Sequence, residues 1–187
     1  MEQNNLGFDA ISIMKNTRLN EETYGQAFGR MLGKYDWDWA CSLSFNYQYS
    51  PAYMKRKFWE WKKLIAQQER MQIAYAVVLC QNPHSHLHAL MLGANRYGKT
   101  LADVSRIKWQ EIWIHGNGNK PLSHAANRIE KVSCAYGFAS YMAKNAQAND
   151  YDTEISSPRF LKRFQIKPHS CDESVKSKGP RDPFDFI

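Results

Sequence analysis

The sequence predicts an α+β fold, with a central, mostly antiparallel sheet of about five strands flanked by helices. Two observations carry that expectation. Met71 to Cys80 (MQIAYAVVLC) and His86 to Leu92 (HLHALML) are apolar runs of strand length, and the short turn Gln81 to Ser85 joins them as antiparallel neighbours. Around them lie segments whose apolar residues recur at helical spacing and whose first residues are good caps.

Taken in order, residues 1–19 read as a loosely held lead-in. Asn20 before Glu21-Glu22 makes an N-cap with a negative first turn, and Tyr24, Phe28, Met31 and Leu32 recur at helical spacing up to Gly33. Tyr35 to Trp39 leads into a first strand, where Cys41, Leu43 and Phe45 alternate with small polar residues and predict one buried face. Ser50-Pro51 starts a helix to about Glu69 with Phe58, Trp61, Leu64 and Ile65 on one face. The Met71 to Cys80 run is apolar enough to lie inside a sheet.

Thr100 is expected to cap a short helix to about Lys108, Trp109 to His115 to form a strand before the turn at Gly116, and Asn127 to Val132 to be the last strand. Ser133 caps a helix ending near Asn149. Beyond Asp150 the pattern dissolves, and Pro158 to Ile187 holds seven Lys or Arg and four Pro. The division is therefore a lead-in and helix over 1–34, a core over 35–150, and a basic, partly disordered tail over 151–187.

A chain of 187 residues suggests one domain, and 43% hydrophobic residues can supply its core. No run approaches the ~18 apolar residues of a membrane span. Glu2 and Asp9 with no long apolar stretch argue against a secretory signal, so no membrane is expected and the cytoplasm is the default. Cys41, Cys80, Cys134 and Cys171 lie far apart with no CxxC pair and read as reduced residues, not a zinc site or disulfide frame. The net charge of +7 favours a polyanion such as nucleic acid. Lys55, Arg56, Lys62 and Lys63 on the long helix, and Arg159, Lys162 and Arg163 in the tail, are the candidate phosphate contacts, although such a helix face is ordinarily just solvated.

Chemistry concentrates at two places. In NPHSHLHALMLG, His86 and His88 stand two apart on a strand and share a face, about 6–7 Å apart at their roots for a rise of roughly 3.3 Å per residue, while Leu87 points into a core. They form a bidentate metal platform. On this stretch alone, a half-solvated His-rich turn entering a strand explains the residues equally well. In CAYGFASYMAKNA, Tyr141 and Lys144 lie three apart on one helix face, where the ammonium can stand beside the phenol oxygen or grip a phosphate. Most such pairs are ordinary surface residues.

Together these residues resemble the HUH endonucleases, named for His-hydrophobe-His, and in particular rolling-circle replication initiators. Ser42-Leu43-Ser44-Phe45 is similar to the family's first strand motif, His86-Leu87-His88 to its metal motif, and Tyr141-Met142-Ala143-Lys144 to its Tyr-x-x-Lys helix, in the family's order. The resemblance covers roughly residues 35–150 and implies an HUH, palm-like sheet. It implies that His86 and His88 hold Mg²⁺ or Mn²⁺. Tyr141 would attack the backbone to become a 5′-phosphotyrosine, and Lys144 would help to orient the phosphate. The substrate would be single-stranded DNA at a replication origin of a plasmid or small phage. With no GxxxxGK[ST] motif in the chain, a host helicase and polymerase would act beside it.

Two features depart from the family pattern. The second nucleophile that some initiators carry four residues after the first is absent, its place taken by Asn145, which implies a single-tyrosine enzyme. No acidic residue stands where the family often places a third metal ligand, so Gln81 is the first choice and His84 the second. Tyr136 is an alternative nucleophile but lacks a Lys at i+3. A relaxase or transposase with the same chemistry and a non-catalytic nucleic-acid-binding module are the competing readings.

Overall fold

The computed structural model describes residues 21–116, 122–123, 127–148 and 151–161. Helix α1 spans Glu21–Leu32, β1 Trp39–Ser44, α2 Pro51–Gln68, β2 Gln72–Cys80 and β3 His86–Ala94. A 3₁₀ turn at Leu101–Asp103 precedes α3 at Arg106–His115. Strand β4 at Arg128–Lys131, α4 at Ala135–Ala148, β5 at Tyr151–Ile155 and a single turn, α5, at Pro158–Leu161 follow. The strands form one sheet in the order β4-β1-β3-β2-β5, with every pairing antiparallel, as the α+β reading requires.

Strand alternation sorts the core into two layers. Cys41, Leu43, Val77, Leu79, Leu87, Ala89 and Met91 face α2 and α3, where Met54, Phe58, Trp61, Ile65, Trp109 and Trp113 cover them. Ala74, Ala76, Val78, Cys80, Leu90 and Leu92 face α1 and α4, where Phe28, Leu32, Phe138, Ala139, Met142 and Ala143 do the same. Strand β1 was expected to bury one face, but Ser44 is also buried because Ser123 and Asn127, in the segment before β4, close the second side.

Helix α2 starts as the sequence predicts, with Ser50 Oγ accepting from the Tyr53 N–H at 3.3 Å and Pro51 following. Helix α1 meets α4 through Gly25, Gly29 and Gly33, one per turn. A Cβ on Gly29 would collide with Ser140 Oγ and lie 3.0 Å from the Tyr136 ring, so a side chain here would force these neighbours to shift.

Two elements differ from the sequence reading. Trp109 to His115 is not a strand but most of α3: Ser105 Oγ caps it at the Lys108 N–H, and Gly116 ends it at φ 62°. Trp109 and Trp113, four apart, share a buried helical face, and the Trp113 indole donates to Ser44 O at 3.1 Å. The helix expected over Thr100 to Lys108 stops after its first turn. There the Asp103 carboxylate accepts from the Thr100 N–H and hydroxyl at 2.8 and 3.0 Å, and the chain restarts at Ser105. The fifth strand comes instead from Tyr151–Ile155, placed in the tail by the sequence reading. It pairs with β2 and is held by Lys55 Nζ at 2.8 Å from Glu154 and by the Tyr75 hydroxyl, which donates to the same carboxylate.

Candidate active site

His86 and His88 open β3, the middle strand of the five, and both point to the α4 side. Their ring centroids are 5.0 Å apart with planes at 76°, and the residues are 5% and 1% exposed. Burial on a sheet holds both rings in one orientation, which a solvated turn does not do. Tyr141, on α4, meets His88 edge to face with centroids 4.9 Å apart at 73°, and Phe138 closes the group 6.3 Å from His88. The strand pair and the helix tyrosine therefore come together. Lys144 is exposed one turn beyond Tyr141.

Hydrogen bonds set the tautomers. His86 Nδ1 donates to the His84 carbonyl at 2.7 Å, which puts the ring's lone pair on Nε2. Ser42 Oγ lies 3.0 Å from His88 Nδ1, because the register pairs Ser42 with His88 across β1 and β3. When His88 Nδ1 donates to that hydroxyl, its Nε2 also carries a lone pair, and this buried nitrogen has no hydrogen-bond partner among the described residues. Burial, with repulsion from His86 whenever that ring is protonated adding to it, pushes the His88 pKa from 6.5 down to about 3, so the His88 ring is neutral at physiological pH.

A buried, neutral imidazole with an orphan Nε2 beside a second, Nδ1-protonated imidazole has the donor chemistry of a metal site whose rings are oriented from outside. The residues fit a divalent ion as a two-nitrogen platform. Among the described residues no group of three His, Cys, Asp or Glu side chains is placed to hold one. Gln81 does not join the imidazoles: its side-chain amide donates to the Tyr49 carbonyl at 2.9 Å, and its backbone carbonyl accepts from the Gln48 side chain. The turn thus binds Gln81 to the segment before α2. His84 is exposed and serves through its backbone.

The cations of α2 lie away from this group, because α2 covers the opposite face of the sheet. Lys55 pairs with Glu154, Arg56 stands over the Tyr53 ring at 5.1 Å, and Lys62 is over Tyr75 at 4.4 Å, where burial lowers its pKa. Lys63 lines a cleft between α2 and α3. Arg159 falls in the α5 turn, while Lys162 and Arg163 lie outside the described residues. A strand cation that does share the site face is Arg128, opposite Ser42 in the β1–β4 register and so in one row with His88; it pairs with Glu130 at 2.6 Å. Sequence reading placed the strand but not this row, which exists only once β4 and β3 flank β1.

Tyr136, the alternative nucleophile, faces the glycine stripe of α1 rather than the imidazoles. Among the described residues Cys41, Cys80 and Cys134 form no disulfide, and Cys171 lies outside them. Among the described residues no helix is long and apolar enough to cross a membrane. Compared with protein-family models, curated proteins and solved structures, the chain matches none.

Proposed function

We propose that this chain is a metal-dependent, site-specific single-stranded DNA nickase and joining enzyme of the His-hydrophobe-His type, a rolling-circle replication initiator of a plasmid or small phage. The contact between Tyr141 and His88 carries this reading, because it puts a phenol nucleophile beside a two-imidazole platform. In the proposed step, Tyr141 Oη attacks a backbone phosphorus. The phenol loses its proton, the Tyr O–P bond forms, the P–O3′ bond breaks, and the departing 3′-oxygen takes up a proton. The 5′-phosphotyrosine conserves the phosphodiester energy, so a later attack by a 3′-hydroxyl rejoins the strand without ATP.

His86 and His88 would hold Mg²⁺ or Mn²⁺ through Nε2, since Nδ1 of each ring is engaged by the His84 carbonyl or the Ser42 hydroxyl. When bound, the ion supplies Lewis-acid polarisation of the phosphodiester. Ser42 orients His88, and Lys144 and Arg128 offer positive charge to the phosphate. The partners in this reading are origin single-stranded DNA and a host helicase and polymerase in the cytoplasm. Incubating the protein with Mn²⁺ and a single-stranded oligonucleotide library, followed by mass spectrometry, tests it. A nucleotide linked to Tyr141 is expected; free 5′-phosphates without an adduct overturn the mechanism.

A further inference from the structure

Three tyrosines follow one another at the end of the sheet where His86 begins. Tyr47 and Tyr49 meet edge to face at 6.2 Å, and Tyr49 stacks on Tyr53 at 4.3 Å with planes 18° apart. Tyr47 is 70% exposed, a large area of aromatic surface left in water. Arg56 lies 5.1 Å and Lys57 5.7 Å from the Tyr53 ring, so cations flank the aromatic row. Past Tyr53 the surface falls into a cleft of about 510 Å³ between α2 and α3, lined by Tyr53, Lys57, Trp61, Lys63, Gln67 and Ile112.

The row is fixed in place. The Tyr49 N–H donates to Ser85 Oγ at 2.7 Å, the Ser85 N–H donates to Gln48 Oε1 at 3.1 Å, and the Gln81 amide holds the Tyr49 carbonyl. Ser85 directly precedes His86, so the aromatic row is tied to the residue next to the imidazole platform. A row of flat rings with cations gathered at its Tyr53 end complements a strand whose bases stack while its phosphates seek positive charge, and a rigid row loses little entropy on binding. Glu60 is the acid lining this cleft, and Lys57 pairs with it at 2.7 Å. Arg56 also reaches Glu60, at 3.9 Å, so Arg56, Lys57 and Lys63 together outnumber this one acid and keep the surface positive, in a chain of net charge +7.

We propose that Tyr47, Tyr49 and Tyr53, continued by Lys57 and Lys63 into the α2–α3 cleft, form a track for an unpaired nucleic-acid strand. The track takes bases on the rings and phosphates on the cations. It rests on the nickase reading only in the identity of that strand, the single-stranded DNA leading to or from the nicked phosphate. It also gives the α2 cations a role beside the aromatic row, on the sheet face opposite Tyr141, so the strand passes over the strand ends near His86.

The full chain, with the metal chelated, is titrated into fluorescein-labelled oligo(dT) 20-mer and followed by anisotropy. Tyr47→Ala is expected to weaken binding by roughly 5- to 100-fold, the effect of losing one base–aromatic stack, and Tyr47→Phe to stay near wild type. An abasic oligonucleotide of equal length should bind more weakly than oligo(dT) and be insensitive to Tyr47→Ala. Because Tyr47 is largely exposed, the melting temperature should not move. Failure of the wild type to bind the oligonucleotide, affinity of Tyr47→Ala and Lys63→Ala within twofold of wild type, or equal binding of an acidic peptide overturns the track. Tyr47-dependent binding without a Tyr141 adduct sinks the nickase reading and leaves the track. An adduct formed at unchanged KM by Tyr47→Ala does the reverse.

Discussion

The rings of His88 and Tyr141 meet edge to face with centroids 4.9 Å apart, joining the middle strand of the sheet to the helix that follows β4. Tyr141→Phe keeps the ring and its packing but removes the oxygen. The variant should fold and bind single-stranded DNA, while adduct formation falls by more than about 10³-fold. Tyr136→Phe should keep most activity, since Tyr136 packs against α1. Mass spectrometry of the quenched reaction reads both, and an adduct on Tyr136 would reverse the assignment.

His88→Ala and His86→Ala each remove one of the two nitrogen donors. Nicking in excess Mn²⁺ should disappear, and oligonucleotide affinity should stay within a few-fold of wild type. Cleavage by His88→Ala at the wild-type rate would exclude the platform from the chemistry.

In the proposed mechanism Ser42, 3.0 Å from His88 Nδ1, acts through that ring and not on the substrate. Ser42→Ala should weaken Mn²⁺ binding about 10- to 100-fold, the usual effect of losing a partner that orients a metal-bound histidine, and Ser42→Thr should restore most of it. Titration calorimetry with the metal alone reads this directly; unchanged affinity in Ser42→Ala would show that the hydroxyl does not orient the ring.

His88 also predicts how the chelated protein responds to acid. Its folded pKa of about 3 lies below the 6.5 of the unfolded chain, so the unfolded state takes up the proton first. Stability is full above pH 6.5 and is lost as the pH falls toward 3, at up to about 1.4 kcal/mol per pH unit, or about 2 kcal/mol between pH 7 and 5. Urea unfolding at several pH values should show a shallower loss for His88→Gln than for wild type. Parallel profiles for the two proteins would mean that His88 is not the group responsible.

The close approach of α1 to α4 makes Gly29→Ala informative. Helix propensity alone would favour alanine by up to about 1 kcal/mol, but the new methyl meets Ser140 Oγ and the Tyr136 ring. Overpacking should win, with a net loss of roughly 1–2 kcal/mol. Part of that loss should return in Gly29→Ala with Ser140→Ala, because the shorter contact is to the serine. A stabilised single variant would show that the helices can part without cost.

Much of the site was legible because its signals are local. Alternation along a strand puts His86 and His88 on one face whatever the rest of the chain does, and a helix puts Tyr141 and Lys144 one turn apart. The Ser50-Pro51 start and the turn between β2 and β3 were legible for the same reason. Trp109 to His115 was not: aromatic and β-branched residues suit a strand, but Trp109 and Trp113 are also four apart, and burial against Trp61 and Phe45 selects the helix. Strand β5 was hidden because Asp152 and Glu154 look like solvent-facing loop residues until Lys55 and Tyr75 are there to receive them.

By itself, then, the sequence determined an antiparallel α+β sheet, the shared face of the two imidazoles, the one-turn spacing of Tyr141 and Lys144, and a basic chain. Only the tertiary structure decided that Ser42 would orient His88, that Gln81 would turn to Tyr49, that Arg128 would share the row of His88, and that Tyr141 rather than Tyr136 would reach the imidazoles. Alternation and helical pitch act within a few residues. Register between strands and the rotation of a helix over a sheet are set by packing among residues far apart in the chain, where Gly29 against Tyr136 fixes one side of α4 and His88 against Tyr141 the other.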